Sequence, residues 1–539
     1  MNYNFHQLNQ HEQDECLSKG ICSQSPVLIS LHEVIMHHLR DLSFYLLELK
    51  AAGAENAQLK EQVIDILSSL IINVEYTPEQ FKVILDRLHD GLSQAKALYF
   101  DICRRKGISA ITLPEPPKKG RKFNFSEAIR EGQREYKKKS KKFTQDEKLL
   151  LEVLFILIKS ICIHLVELKS YDFEDTEIYY YILELLKSMS NPQEFEQKQK
   201  EDQKLFIALD TSLLRELYEL KKQRFGEMVP VDVSFSIRPN KAILVAGENL
   251  VDLEAVLKAT VNKGIDVYTH GKMIMAHAYP KLKAYPNLVG HFGRGSDSGL
   301  VDFAAFPGAI FMTKLSLQRV ERLYRSRIFT TDAVAHKGVI IIKDGNYEPL
   351  VESALTAKGF EHSQEKHSVR VGFYEKEVIE KITEVSEKME TNEIKHFFAI
   401  GISNGTYAQR EYFEKFLSCV PENCFVLSFS YTNECENVLT VPSESGVAIL
   451  YKALDILSRN KDLSDVNATI LYTRCEYHTI PNLLNMSFMG AKDIYFPTCS
   501  PHLIKPELVE YIREKYDINS YTNPRSDIQR MLSNDASKN

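Results

Sequence analysis

The chain has 539 residues, a net charge of −6 at pH 7, and a composition that is 44% hydrophobic and 26% charged. This length exceeds what a single hydrophobic core usually supports, so two to four domains are expected. The mild acidity argues against a general nucleic-acid binder, and nine dispersed cysteines argue against the disulfide framework of a secreted protein.

The N-terminal half of the chain is predicted to be helical, and the protein is predicted to be cytoplasmic. Its first residues, MNYNFHQLNQHEQDEC, are polar and acidic and do not resemble a signal peptide. Apolar residues then recur at spacings of three and four, which is typical of packed helices. Thr77 followed by Pro78 predicts a helix start, and Gly107 predicts the end of that helix.

The most apolar segment, residues 149–169, is predicted to be a buried helix and not a membrane span. It is interrupted by Glu152, Lys159 and His164, whereas a span needs about 18 apolar residues with few charges.

A basic insertion at residues 118–142 stands out in an otherwise acidic chain. One interpretation is an arm that binds an anion or a partner; the simpler one is a solvated helical hairpin or loop, because charge runs usually face water. Nucleic acid is not expected, since Phe123, Phe125 and Tyr136 are few aromatics for base stacking.

After Pro239 the pattern changes to strands alternating with helices. KAILVAG is followed by the amphipathic ENLVDLEAVLKATVNKG and then by IDVYTH, a strand–helix–strand unit that implies parallel pairing. The pattern returns twice before the C-terminus, which predicts one large or two smaller doubly wound α/β domains. In such sheets, ligands bind beyond the carboxyl ends of the strands.

The strand ends resemble those of the hybrid-cluster (prismane) proteins, the hydroxylamine reductases related to the nickel-iron carbon monoxide dehydrogenases. The resemblance is carried by VYTHGKMIMAHAYPKLKAYPNLVG, by FPGAIFMTKLSLQ and by CSPHLIKPELVEYIREKYDINSYT. It implies a multidomain α + α/β fold with a redox cluster where the domains meet. The implied domains are a helical domain and two Rossmann-like doubly wound α/β domains, at residues 1–237, 238–385 and 386–539.

The family holds its iron–sulfur–oxygen cluster with a histidine, two glutamates and several cysteines, and this chain differs at most of these positions. The resemblance puts Glu248 at the histidine position, Lys272 at one glutamate position and Glu476 at the other, beside Cys475 and His478. Three cysteine positions become serines, namely Ser316, Ser403 and Ser430. Cys16 and Cys22 are all that remains of a four-cysteine motif near the N-terminus.

These replacements predict that no cofactor is bound. Iron in such clusters is held by thiolates, which are soft donors, whereas a serine hydroxyl is a poor replacement and an ammonium repels the metal. Two cysteines out of four cannot hold a second cluster unaided. The alternative is an altered iron–sulfur cluster, and Glu248 and Glu476 would then be its ligands.

A cavity without its cluster would leave the carboxylates of Glu248 and Glu476 without a positive partner, and unpaired buried carboxylates are costly in free energy. Our hypothesis is that the Lys272 ammonium bridges Glu248 and Glu476; the alternative is that each group is separately hydrated. His270 and His277 are interpreted as structural or cavity-lining residues.

The resulting functional expectation is a homologue that acts as a non-catalytic structural, regulatory or partner-binding protein. It would pair with an intact family paralogue or another protein, as a homo- or hetero-oligomer, and not with a membrane. One alternative is an oxidoreductase that reduces hydroxylamine or nitrogen oxides with an altered cluster. The other is a metal-free binder or enzyme that uses the vacated cavity.

Overall fold

The structure is a computed structural model of the chain. The residues that it describes are 26–70, 78–113, 124–190, 192–293, 299–314, 316, 320–402, 407–429, 437–441, 446–459, 461–472, 479–497 and 506–536.

The contacts of the chain divide it into two compact units. We call residues 16–213 and 502–508 the helical unit, and residues 1–15, 214–501 and 509–539 the α/β unit.

Helices make up the described part of the helical unit. They are α1 (Pro26–Ala51), α2 (Ala57–Ser69), α3 (Pro78–Lys106), α4 (Phe125–Lys142), α5 (Gln145–Lys169), α6 (Thr176–Ser188) and α7 (Pro192–Phe225), whose last turns belong to the α/β unit. As predicted, α3 starts at Pro78 and is followed by Gly107, which has the positive φ of +67° that a helix-ending glycine adopts.

The apolar segment forms α5, which begins with a reciprocal cap between Thr144 and Glu147. Within the described residues, it is the one helix long and apolar enough to cross a membrane, and 78% of its most apolar stretch is buried. This burial agrees with the prediction of a core helix.

Part of the basic insertion forms α4, which packs closely against α1. A Cβ atom on Gly132 would lie only 1.8 Å from the backbone oxygen of Ser30. The absence of a side chain at Gly132 therefore sets the distance between these two helices. Lys139 adds an ion pair to Glu33 across the same contact, at 2.8 Å.

The α/β unit contains two six-stranded parallel sheets and a two-stranded antiparallel sheet. The strands are β1 (Val231–Ser234), β2 (Lys241–Ala246), β3 (Ile265–His270), β4 (Leu288–His291), β5 (Ala309–Met312), β6 (Ile328–Thr330), β7 (Ile340–Ile341), β8 (Ser368–Val371), β9 (His396–Ile402), β10 (Cys424–Ser428), β11 (Val438–Thr440), β12 (Ala468–Tyr472), β13 (Asp493–Pro497) and β14 (Ile518–Tyr521). The first sheet has the order β4-β3-β2-β5-β6-β7, the second has the order β11-β10-β9-β12-β13-β14, and β1 pairs with β8.

Helices connect most successive strands in this unit. They are α8 (Leu250–Thr260), α9 (Pro280–Lys283), α10 (Gly299–Ala305), α11 (Glu348–Thr356), α12 (Glu375–Glu390), α13 (Tyr407–Leu417), α14 (Gly446–Ser458), α15 (Thr479–Phe488), α16 (Pro506–Tyr516) and α17 (Pro524–Ala536), with 3₁₀ turns at Gly271–Ala278, Arg325–Arg327 and Leu463–Asp465.

Both parallel sheets have the doubly wound strand order in which the direction of winding reverses beside the first strand of the sheet. The predicted class, a helical domain with two Rossmann-like α/β sheets, is confirmed. The reversal in the first sheet lies between β2 and β5. In doubly wound sheets, ligands bind beyond the carboxyl ends of the strands at this reversal.

The close approach at Gly132 predicts that Gly132→Ala destabilises the helical unit. In a solvent-exposed helix this change usually stabilises by about 0.5–1 kcal/mol. Here the clash with Ser30 should reverse the sign and cost about 1–3 kcal/mol. Urea unfolding followed by circular dichroism measures the effect, with Gln133→Ala on the exposed side of α4 as the control. Equal stability of Gly132→Ala and the parent would show that α1 and α4 are not in this contact.

Candidate functional site

Three of the residues singled out by sequence lie at the carboxyl ends of neighbouring strands. Glu248 follows β2, Lys272 follows β3 and Ser316 follows β5. Since β3, β2 and β5 are adjacent and parallel, the three segments meet at one edge of the first sheet. This edge is the candidate site.

The other candidates lie outside the described residues. They are Ser403, Ser430, Cys475, Glu476 and His478, together with Cys16 and Cys22. The second half of the hypothesised bridge, from Lys272 to Glu476, therefore stays a prediction.

Lys272 and Glu248 form an ion pair. Lys272 Nζ lies 2.8 Å from Glu248 Oε1, and the two side chains are 16% and 31% exposed. Lys272 is positioned by the 3₁₀ turn that starts immediately after β3. Glu248 precedes Asn249, whose side chain caps α8 by accepting from the backbone N–H groups of Val251 and Asp252. Both charges are thus fixed by the first turn after their strand.

Ser316 is held in a hydroxyl network beneath this pair. Its Oγ lies 3.0 Å from Thr313 Oγ1, which also accepts from the backbone N–H of Glu248 at 3.2 Å. A Cβ atom on Gly247 would lie 2.0 Å from Thr313 Oγ1 and 2.3 Å from Ser316 Oγ. Glycine at this position lets the segments after β2 and β5 come together.

A buried imidazole–carboxylate pair lies at the end of β3. His270 Nε2 is 3.1 Å from Asp302 Oδ2, and both residues are buried. Gly293, with φ +102°, packs against the pair, and a Cβ atom there would lie 2.4 Å from the carboxylate oxygen. The sequence gives His270 a structural or cavity-lining role, and this contact fits such a role.

A second buried network surrounds Thr269. Its hydroxyl lies 3.1 Å from His277 Nε2 and 2.9 Å from His291 Nδ1. Burial lowers the pKa of His277 from 6.5 to about 3, and the charge of Lys283 adds to the effect. Burial also lowers the pKa of His291 well below its usual value, helped by His270 and His277. Both rings are therefore neutral at physiological pH.

Asp302, Thr269 and His291 were not identified from the sequence. Asp302 is 32 residues from His270 in the chain, and no local spacing pairs an aspartate with a distant histidine. His291 ends β4, so the carboxyl-end rule could have included it.

The described donors do not fit an iron–sulfur cluster. At the three described positions that resemble family ligand positions, they are an ammonium, a carboxylate bound to that ammonium and a hydrogen-bonded alcohol, whereas iron in such clusters needs thiolates. Across the described part of the chain, no three histidine, cysteine, aspartate or glutamate side chains converge on a possible metal position. What the described groups can do is bind or polarise a charged or polar ligand.

Comparison with known proteins identifies a protein family whose model matches most of the chain. The model of the Prismane/CO dehydrogenase family matches residues 9–433. Hydroxylamine reductases from Thermodesulfovibrio yellowstonii and Methanocella arvoryzae are each 26% identical, and the alignments cover 96% of this chain and 98% and 97% of those proteins. The relative of the same name from Syntrophobacter fumaroxidans is 25% identical, over 96% of this chain and 97% of that protein.

Similar solved structures include two carbon monoxide dehydrogenases. A chain in a structure of an acetyl-CoA synthase/carbon monoxide dehydrogenase has a TM-score of 0.47 at 13% identity, covering 93% of this chain and 82% of that one. Carbon Monoxide Dehydrogenase IV from Carboxydothermus hydrogenoformans has a TM-score of 0.45 at 9% identity, covering 96% and 89%.

The ion pair predicts that Lys272→Glu destabilises the protein. It places a second carboxylate beside Glu248, and breaking a partly buried charged contact typically costs about 1–3 kcal/mol. Lys272→Met, which keeps the aliphatic stem, should cost less because it adds no repulsion. Thermal unfolding of both variants measures the order, and the swapped double variant Lys272→Glu/Glu248→Lys should recover part of the loss. An unchanged melting temperature for Lys272→Glu would contradict the pairing.

The neutral histidines predict that the α/β unit loses stability in mild acid. The folded-state pKa of His277 lies below its unfolded value, so the unfolded chain binds the proton first as the pH falls below 6.5. Stability should then decline by up to about 1.4 kcal/mol per pH unit for this group.

Urea unfolding between pH 7.5 and 5 tests this expectation. His277→Gln should reduce the pH slope, whereas His362→Gln, at an exposed position, should leave it unchanged. A slope that is identical in the parent and His277→Gln would refute the assignment.

Proposed function

Because the chain belongs to the Prismane/CO dehydrogenase family, we propose that it keeps the fold of a hydroxylamine-reductase homologue but has lost the iron–sulfur–oxygen cluster. On this proposal it is a non-catalytic cytoplasmic protein with a structural, regulatory or partner-binding role. It binds an intact family paralogue or another protein.

The observation that carries the proposal is the Lys272–Glu248 ion pair, 2.8 Å long at the ends of β3 and β2. By resemblance, both residues stand at ligand positions of the cluster. A protonated amine has no lone pair to donate, and its charge repels a metal ion. The carboxylate beside it already has a cation to neutralise it.

Ser316 supports the same conclusion. By resemblance it stands at a cysteine position, and its hydroxyl is engaged with Thr313. An alcohol is a much weaker acid than a thiol and a harder donor, so it does not replace a thiolate on iron. Two unsuitable donors on adjacent segments weaken a cluster site far more than one.

The iron content and the visible spectrum of the full-length protein, purified without oxygen, test the proposal. We expect a colourless protein with well under one iron per chain. The hydroxylamine reductase of Thermodesulfovibrio yellowstonii, prepared in the same cells and in the same way, is the control for cluster supply. A brown protein that holds several irons per chain would overturn the proposal and favour the altered-cluster oxidoreductase.

A metal-free binder remains the second candidate, because His270–Asp302 and Lys272–Glu248 place two polar pairs at one edge of the sheet. A thermal-shift screen of the colourless protein with small anions and amines separates the two roles. Stabilisation that Lys272→Met abolishes would favour the binder, and no stabilisation would favour the non-catalytic role.

A further inference from the structure

Helix α4 separates its charges between two faces. Its buried face carries Glu131 and Glu135, whose side chains are 18% and 13% exposed. Glu131 Oε1 lies 3.3 Å from His38 Nε2, and Glu135 Oε2 lies 3.8 Å from His37 Nδ1. Both histidines lie on α1. Glu131 thus contacts α1 through His38, whereas Glu135 pairs with Lys138 of its own helix at 2.6 Å.

The opposite face carries a row of cations. Arg130, Arg134, Lys137 and Lys141 follow at spacings of four, three and four residues, so they lie along one side of the helix. All four are exposed. We call these four residues the basic stripe.

The cations of the basic stripe are not neutralised within the described protein. Arg134, Lys137 and Lys141 form no hydrogen bond or ion pair with another described residue, and Arg130 Nε donates only to the backbone oxygen of Ser126. Like charges four residues apart on a helix repel each other. The repulsion within the stripe therefore opposes the stability of its own helix, and the helix dipole offsets it at Lys141, which lies in the last turn.

Helix α12 in the α/β unit provides a contrast. It carries three lysines, and each has a carboxylate one turn away. Lys376 pairs with Glu380 at 3.8 Å, and Glu384 pairs with Lys381 at 2.9 Å and with Lys388 at 2.7 Å. The unneutralised charge of α4 is thus not shared by α12.

We propose that the basic stripe is a docking surface for a protein that presents a row of carboxylates, such as an acidic helix or segment. The charge of the surface is complementary to such a row, and a helix of 18 residues offers a short, straight contact. Charged residues arranged in this way steer encounter and set the register of a complex. The inference does not depend on whether a cluster is bound.

The same surface suits other polyanions less well. Segment 118–142 has eleven basic and three acidic residues in a chain of net charge −6, so the rest of the chain carries about −14 and repels a long polyanion. Tyr136 is the one exposed aromatic of α4, which gives little base stacking. Gly132 packs on α1 and Ala128 is buried, so the described side chains of α4 leave no broad apolar face to enter a membrane.

Binding of a short fluorescein-labelled oligoglutamate peptide to the full-length protein, followed by fluorescence anisotropy, tests the proposal. We expect binding that weakens as salt rises, and a loss of about tenfold in affinity in Arg134→Glu/Lys137→Glu/Lys141→Glu. The matched control is Lys376→Glu/Lys381→Glu/Lys388→Glu on α12, which changes the net charge equally and should bind like the parent.

Three outcomes would overturn the proposal. They are no binding of oligoglutamate at low salt, equal loss in both triple variants, and tighter stripe-dependent binding of oligothymidylate or of phosphatidylserine vesicles. Circular dichroism checks that the variants fold. If the charge reversal unfolds α4, the neutral variant Arg134→Gln/Lys137→Gln/Lys141→Gln replaces it, with an expected loss in the same direction.

Discussion

The contact between the Lys272 ammonium and the Glu248 carboxylate decides what the edge of the first sheet can do. A carboxylate that is largely withdrawn from water needs a positive charge near it. A metal ion and an ammonium are alternative ways to supply that charge, and they exclude each other at short distance. Here the positive charge is part of the polypeptide, 2.8 Å from the carboxylate, so Glu248 has a counter-charge as soon as the chain folds.

The α/β unit has an extensive core and ion pairs of its own. Its central strands are buried along their whole length, as parallel strands covered on both faces are. Glu375 on α12 accepts from Tyr218 and Lys222 on α7 and from Lys452 on α14, which ties three helices together. A fold held by its own core can lose a prosthetic group and persist.

The sequence predicted the features that depend on residues close together in the chain, and it did not predict contacts between distant residues. Local patterns identified β2, α8 and β3 and both ends of α3, because periodicity and capping act within a few residues. The pairing of β1 with β8, which joins Val231 to Val371, has no local signal. The same holds for Asp302 beside His270. The strand-end rule and the family resemblance together pointed to the residues of the candidate site, whereas the partners of their side chains required the three-dimensional structure.

The most direct test of the central claim is anomalous X-ray diffraction at the iron edge from crystals of the protein grown without oxygen. We expect ordered density for both side chains, with Lys272 Nζ 2.8 Å from Glu248 Oε1, and no anomalous peak within bonding distance of Glu248 or Ser316. An iron peak between these residues, with Lys272 turned away, would contradict it.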